Sequence, residues 1–182
     1  LITNIQFRDT LTVAQGLYLE YIDIESVIDW HILILLTNNS DGVVKNFYLY
    51  KTDCLSALRI SPWDYDHSFG RDGDNELNML SRIVDPNRNI LLRRLNNNSQ
   101  YLLQLNERWA HLRNNHKINQ EVFSNLIEYN SNLIRKGIEK NRQLWPSNSA
   151  NYFDDNTFEE EINLLYKYFN MILPKLDSLF CY

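Results

Sequence analysis

Four oxygen-bearing side chains between Ser40 and Gly70 could do chemistry together: Asp41, Asn46, Asp64 and Asp66. Between them, Val43 to Tyr50 reads as a strand, short and rich in β-branched and aromatic residues. Leu55 to Ile60 reads as a second strand, with Thr52 to Cys54 as a hairpin-like connection. A hairpin holds its two ends side by side, so Asp41 and Asn46 at one end should meet Asp64 and Asp66 at the other. Carboxylates gathered in this way repel one another unless a divalent cation is present. Hard oxygen ligands suit Mg²⁺ or Mn²⁺, which bind through one or two carboxylates and complete their shell with substrate phosphates.

The spacing narrows the chemistry. Asp41-Gly-Val-Val-Lys-Asn46 is D-x4-N, the spacing of the protein-kinase catalytic loop, in which the Asp takes the hydroxyl proton and the Asn holds a metal. Trp63-Asp64 at the end of the second strand would stand where a kinase keeps its metal-binding Asp. Asp and Asn are frequent in this chain, so the spacing also arises by chance, and from spacing alone turn-capping at the hairpin ends is the plainer reading of Asp41 and Asp64. Lys45 is the candidate to touch a phosphate, against the plainer reading of a solvated loop lysine. His67 could bind a metal or serve as acid or base, against the plainer reading of a hydrogen-bonded loop histidine. His31 could orient the Asp41 loop, against that of a satisfied core histidine. Asp66, two residues beyond Asp64, would share its face in a strand-like pair.

These groups need a scaffold, and the flanking sequence predicts a helical one. Ser26 is a plausible N-cap for a helix that is apolar on nearly all sides, with Val27, Ile28, Trp30, His31, Ile34 and Leu35 at helical spacing. Asn38 to Gly42 reads as a break, and Ser61 to Asn75 as an aspartate-rich loop. Asp85-Pro86 opens a short helix through Leu95. Ser99 to Leu112 and Asn119 to Leu144 are two more helices. Pro146 to Asp155 reads as a linker. Thr157 and Glu160 form a capping box for a last helix towards Leu179, with Pro174 as a kink or stop. Trp109, Trp145 and the tyrosines of that helix read as core between helices. The fold class is α+β and helix-rich, a β-hairpin carrying the active-site loops on a helical bundle. The domain is single, over 1–182: an entry segment 1–25, a catalytic region 26–75 and a bundle 76–182.

Composition excludes several classes. With 182 residues and 44% hydrophobic residues the chain can bury a core, so it is not a disordered segment. Its longest apolar run, Ile32 to Leu36, is far below the roughly 20 residues that span a bilayer. The net charge of -5 offers no basic footprint for nucleic acid. Cys54 and Cys181 make neither a zinc pattern nor a disulfide framework and read as two free, partly buried thiols, or at most one bridge. Only 5 Gly and 4 Pro agree with a helix-rich fold. Asn38-Asn39-Ser40 and Asn97-Asn98-Ser99 match the glycosylation pattern, which carries little weight in so asparagine-rich a chain. The chain begins at Leu1 without Met and reads as part of something longer.

Several segments in order, Tyr21-Ile-Asp-Ile-Glu-Ser26, Asn39-Ser-Asp41-Gly42, Lys45-Asn46-Phe-Tyr-Leu-Tyr50 and Pro62-Trp-Asp64-Tyr-Asp66-His-Ser-Phe-Gly70, resemble the CotH kinase family, spore coat protein H and its relatives. Leu91 to Leu95, Glu107-Arg-Trp109 and Phe158 to Glu161 are similar to that family's C-terminal part, so the resemblance covers almost the whole chain. It implies an atypical protein kinase with a kinase-like C-terminal lobe, using ATP with Mg²⁺ or Mn²⁺ to phosphorylate serine-rich coat or surface proteins. It also implies a spore-coat, cell-surface or secreted setting. By position it makes Asp41 the catalytic residue and Asn46 and Asp64 metal ligands, with Asp66 either a ligand or a loop stabiliser. The departure is at the front: residues 1–20 contain no lysine and are too short for the ATP-covering segment and its Lys-Glu pair. The expectation is a C-terminal lobe without its nucleotide-clamping lobe, weak or inactive alone. The alternatives are a non-catalytic coat-assembly, scaffold or adhesion module on the same fold, and a metal-dependent hydrolase using the same carboxylates.

Overall fold

A computed structural model describes residues 20–70, 88–145 and 156–182. Helix α1 (Ile24–Thr37) is its axis, burying Val27, Ile28, Trp30, His31, Ile32, Ile34, Leu35 and Leu36. Burial of that many large apolar side chains, each worth about 1.5–3 kcal/mol, makes α1 the centre of the core. Its N-cap is Asp23, whose carboxylate accepts from the Ser26 backbone N–H at 2.9 Å. Ser26, predicted as that cap, lies inside the first turn. Its hydroxyl instead accepts from the Ile60 N–H at 2.6 Å and so ties the sheet to the helix. At the other end Asn38 adopts the left-handed conformation (φ 54°) that closes helices, an arrangement Asn tolerates better than most residues.

The predicted break after α1 contains a second, short helix, α2 (Ser40–Val44), capped by Asn39. Strand β1 (Phe47–Tyr50) follows and pairs antiparallel with β2 (Arg59–Pro62), Phe47 opposite Pro62 and Tyr50 opposite Arg59. The hairpin is real, but its strands are shifted from the predicted bounds. Val43 and Val44 belong to α2. Leu55 is fully exposed in the connection, because the Asp53 carboxylate accepts both the Leu55 and Ser56 N–H groups at 2.8 Å and folds that stretch into a turn. Beside the hairpin, Ile22 bridges Leu58 in parallel.

The rest of the described chain is helical: α3 (Ile90–Leu95), α4 (Ser99–Asn114), α5 (Gln120–Leu144) and α6 (Phe158–Leu179). The Thr157/Glu160 capping box is present, and Pro174 sits inside α6, which runs on to Leu179 without stopping. Asn89 caps α3; the proposed Asp85-Pro86 cap, the 146–155 linker and residues 1–19 lie outside the described residues. Tyr168 on α6 donates its hydroxyl to the Leu36 carbonyl at 2.7 Å, satisfying an acceptor at the end of α1. Trp109 is buried as predicted, whereas Trp145 is exposed at the end of α5. Cys54 and Cys181 are exposed, not partly buried, and unpaired. Asn38 is fully buried, which removes the first glycosylation match. The result is a helix-rich α+β unit with a two-stranded antiparallel sheet; no helix among the described residues is long and apolar enough to cross a membrane.

One polar cluster locks α4 to α6. Asp177 accepts from the Trp109 indole N–H at 2.9 Å and takes Arg113 in a two-pronged bond at 2.9 and 2.8 Å. Arg113 also donates to the Ile118 carbonyl at 2.7 Å. The pair is about four-fifths buried (18% and 21% exposed), so removing one partner strands the other in a poor solvent for charge. Asp177→Ala is expected to lower unfolding free energy by about 2–4 kcal/mol in urea titration, against less than about 1 kcal/mol for an exposed pair.

Candidate active site

The short helix α2 carries Asp41, and side-chain amides hold it from both ends. Asn39 uses its whole carboxamide: Oδ1 accepts from the Gly42 N–H at 2.7 Å, and Nδ2 donates to the Ser68 hydroxyl at 3.3 Å. The α2 carbonyls are met from the start of α3. Asn89 Nδ2 donates to Val43 O at 2.7 Å, and the Arg88 guanidinium to Ser40 O at 3.2 Å. Asn89 Oδ1 meanwhile caps α3 by accepting from Leu92 N–H at 3.1 Å. A five-residue helix has too few internal bonds to stand by itself, so these outside partners fix where Asp41 sits.

Asn46 makes the decisive link at the foot of the hairpin. It is buried, and its Nδ2 donates to the Asp64 carbonyl at 2.8 Å, while its own carbonyl accepts from the Trp63 N–H at 3.0 Å. With Nδ2 engaged, the amide orientation is set and Oδ1 is left as an acceptor, the form a hard cation requires. The predicted meeting of the two hairpin ends is thus present for Asn46 and Asp64.

Beyond β2 the backbone is irregular, and Asp64 has a positive φ of 57°, tolerable for Asp. The strand-like pairing predicted for Asp64 and Asp66 is therefore absent, although both side chains are exposed. The Asp66 carboxylate accepts the His67 N–H at 2.9 Å, with the His67 ring 3.6 Å away. Further on, Phe69 anchors the loop: it takes a left-handed φ of 59°, donates its N–H to Thr37 O at 2.6 Å, and packs on Tyr168 and Phe169 of α6.

Asp41 faces Lys45 one helical turn on, with Nζ 2.8 Å from its carboxylate. Lys45 is mostly exposed, so this pair is weak and readily exchanged for another anion. Among the described residues no three His, Cys, Asp or Glu side chains are grouped to hold a metal. A closed carboxylate cage is not what the geometry offers. The donor set is one carboxamide and exposed loop carboxylates, which fits a cation that draws its remaining ligands from phosphates.

His31 lies elsewhere. Buried in α1, it shares a 2.9 Å hydrogen bond through Nδ1 with the Tyr101 hydroxyl of α4, and no hydrogen bond links it to the Asp41 loop. The residues that position the site and were missed in the sequence are Asn39, Ser68, Arg88 and Asn89. Asn39 and Asn89 are favoured cap residues, but neither helix start was read in the sequence, so the caps were hidden with them. Their second bonds, to partners up to 46 residues away, had no signal.

Fold and site together describe a helix-rich unit that brings a D-x4-N segment against a W-D-x-D loop. The chain belongs to the CotH kinase family: that family's profile, described as CotH kinase protein, matches residues 12–171. Among curated proteins it is similar to the inner spore coat protein H of Bacillus subtilis (strain 168), 33% identical over 67 residues, 37% of this chain. The match spans 17% of that relative's length. No solved structure matches the chain.

Burial pushes the His31 pKa down to about 4, because the imidazolium would lose its hydration. The unfolded chain then binds the extra proton first, so stability is full above about pH 6.5 and falls as pH drops towards 4. Over that window His31 is expected to account for up to roughly 3 kcal/mol. The check is the urea midpoint against pH, which should be markedly flatter in His31→Leu.

Proposed function

We propose that this chain forms the C-terminal, catalytic lobe of an atypical protein kinase that moves the γ-phosphate of ATP to a protein hydroxyl, serine by family likeness. The observation that supports the reading is the 2.8 Å bond from the Asn46 carboxamide to the Asp64 backbone carbonyl, which joins the D-x4-N segment to the W-D-x-D loop. Asp41 stands on a separately braced helix turn beside them. Its carboxylate would take the proton of the acceptor hydroxyl as that oxygen forms its bond to the γ-phosphorus. The bond to the bridging oxygen breaks with its electrons, and ADP leaves.

Asn46 Oδ1 and the Asp64 carboxylate would hold Mg²⁺ or Mn²⁺, with Asp66 as a further ligand or as the partner of His67. A cation there neutralises the phosphate charge. Lys45 would leave Asp41 for a phosphate oxygen when nucleotide enters, freeing the base at the step that needs it. The name of the similar Bacillus protein supports a spore-coat setting; the acceptors would be serine-rich coat or surface proteins, by family likeness. The chain alone is expected to transfer weakly beside the full-length natural protein.

The test is transfer from γ-labelled ATP by the full-length natural protein, with Mg²⁺ or Mn²⁺ and a serine-rich acceptor. Asp41→Ala and Asp64→Ala should each cut labelling by about 100-fold or more. Unlabelled acceptor from a folded protein would move the assignment to a scaffold. Free phosphate without labelled protein would move it to a hydrolase.

A further inference from the structure

Gly42, directly after Asp41, has an ordinary helical backbone, so left-handed geometry does not explain it. Space does. A Cβ at this position would lie 2.9 Å from the Tyr65 hydroxyl oxygen, 3.2 Å from its Cζ and 3.1 Å from Ile34 Cγ2. The other helical glycine described, Gly137 on α5, would meet nothing within 4 Å. Tyr65 stands between Asp64 and Asp66 and turns inward where they turn out. Its hydroxyl is buried without a full hydrogen bond and faces the indole N–H of Trp30, which is equally unsatisfied. A polar group is therefore left buried at some cost so that the ring can reach α2. Removing the hydroxyl takes away the nearest of these atoms and leaves the ring, with Cζ 3.2 Å from that Cβ, as the contact.

We propose that Tyr65 is a positioning residue, seated on the bare Cα of Gly42 so that the step from Asp41 to Asp64 and Asp66 is set by direct contact. The inference rests on the phosphoryl-transfer reading for the reaction it serves, while the contact itself does not. A ring fixed between two loop carboxylates carries both with it when it shifts. A shift of about 1 Å in a phosphoryl-transfer site is enough to cost on the order of 100-fold in rate.

The experiment compares Gly42→Ala, Tyr65→Ala, their combination and Tyr65→Phe in the full-length natural protein, reading phosphate transfer, its Mn²⁺ dependence and the melting temperature. Gly42→Ala and Tyr65→Ala are each expected to lower transfer roughly 10- to 100-fold and to raise the Mn²⁺ concentration for half-maximal transfer. The combination should be no worse than Gly42→Ala alone, and Tyr65→Phe should stay close to the parent. Unchanged Mn²⁺ dependence in Tyr65→Ala, or losses that multiply in the combination, would overturn the proposal. If the parent transfers nothing, the kinase reading falls separately. The melting temperatures then decide: a combined loss smaller than the sum keeps Tyr65 as the positioning contact of this loop, and an additive loss removes it.

Discussion

Like charges do not assemble themselves, and the arrangement around Asp41 is built on that constraint. Aspartates on two chain segments repel when brought together without a cation. Here neutral carboxamides hold the two segments, while the Asp64 and Asp66 side chains stay exposed. Asn46 bonds the Asp64 backbone and Asn39 bonds Ser68, so the loop is held at its two ends and its carboxylates face outward. Each such bond is worth only about 0.5–1.5 kcal/mol net, but the first carries the β1–β2 pairing past its last rung and the second joins segments that no strand ladder connects. The two segments are therefore joined by the protein's own bonds.

The amides work because α1 gives them something rigid to work from. Ile34 and Trp30 floor the space into which Tyr65 and Gly42 meet. The carbonyls at the end of α1 are taken by Phe69 N–H and the Tyr168 hydroxyl, which ties the loop and α6 to the same point. Ser26 does the same for β2 at the helix's other end. Core burial, loop placement and the setting of Asp41 are thus one structure. A change in α6 reaches the loop through Phe69, which packs on Tyr168 and Phe169.

Long periodic elements were legible in the residues: the buried stripe of α1, the bounds of α5, and Thr157 with Glu160 at the start of α6. Short elements were not. Five residues of α2 cannot display a helical period, so Ser40 to Val44 reads as turn and strand. Leu55 looks like strand until the Asp53 carboxylate claims its N–H. The candidate residues themselves were visible through type, spacing and family likeness, and the Asn46–Asp64 contact followed from hairpin logic. What spacing could not reveal was the bracing. Asn39 to Ser68 and Asn89 to Val43 are tertiary bonds, and the closeness that makes Gly42 necessary exists only once Tyr65 is folded over it.

In the proposed reading Asn46 and Asp64 are joined so as to share a cation with nucleotide phosphates. Manganese answers this directly through its anomalous scattering. Crystals of the full-length natural protein grown with Mn²⁺ and a non-hydrolysable ATP analogue should show an anomalous peak in contact with Asn46 Oδ1 and the Asp64 carboxylate, with phosphate oxygens completing the shell. A nucleotide bound with its metal away from both residues, or no peak at saturating Mn²⁺ and analogue, would overturn that reading.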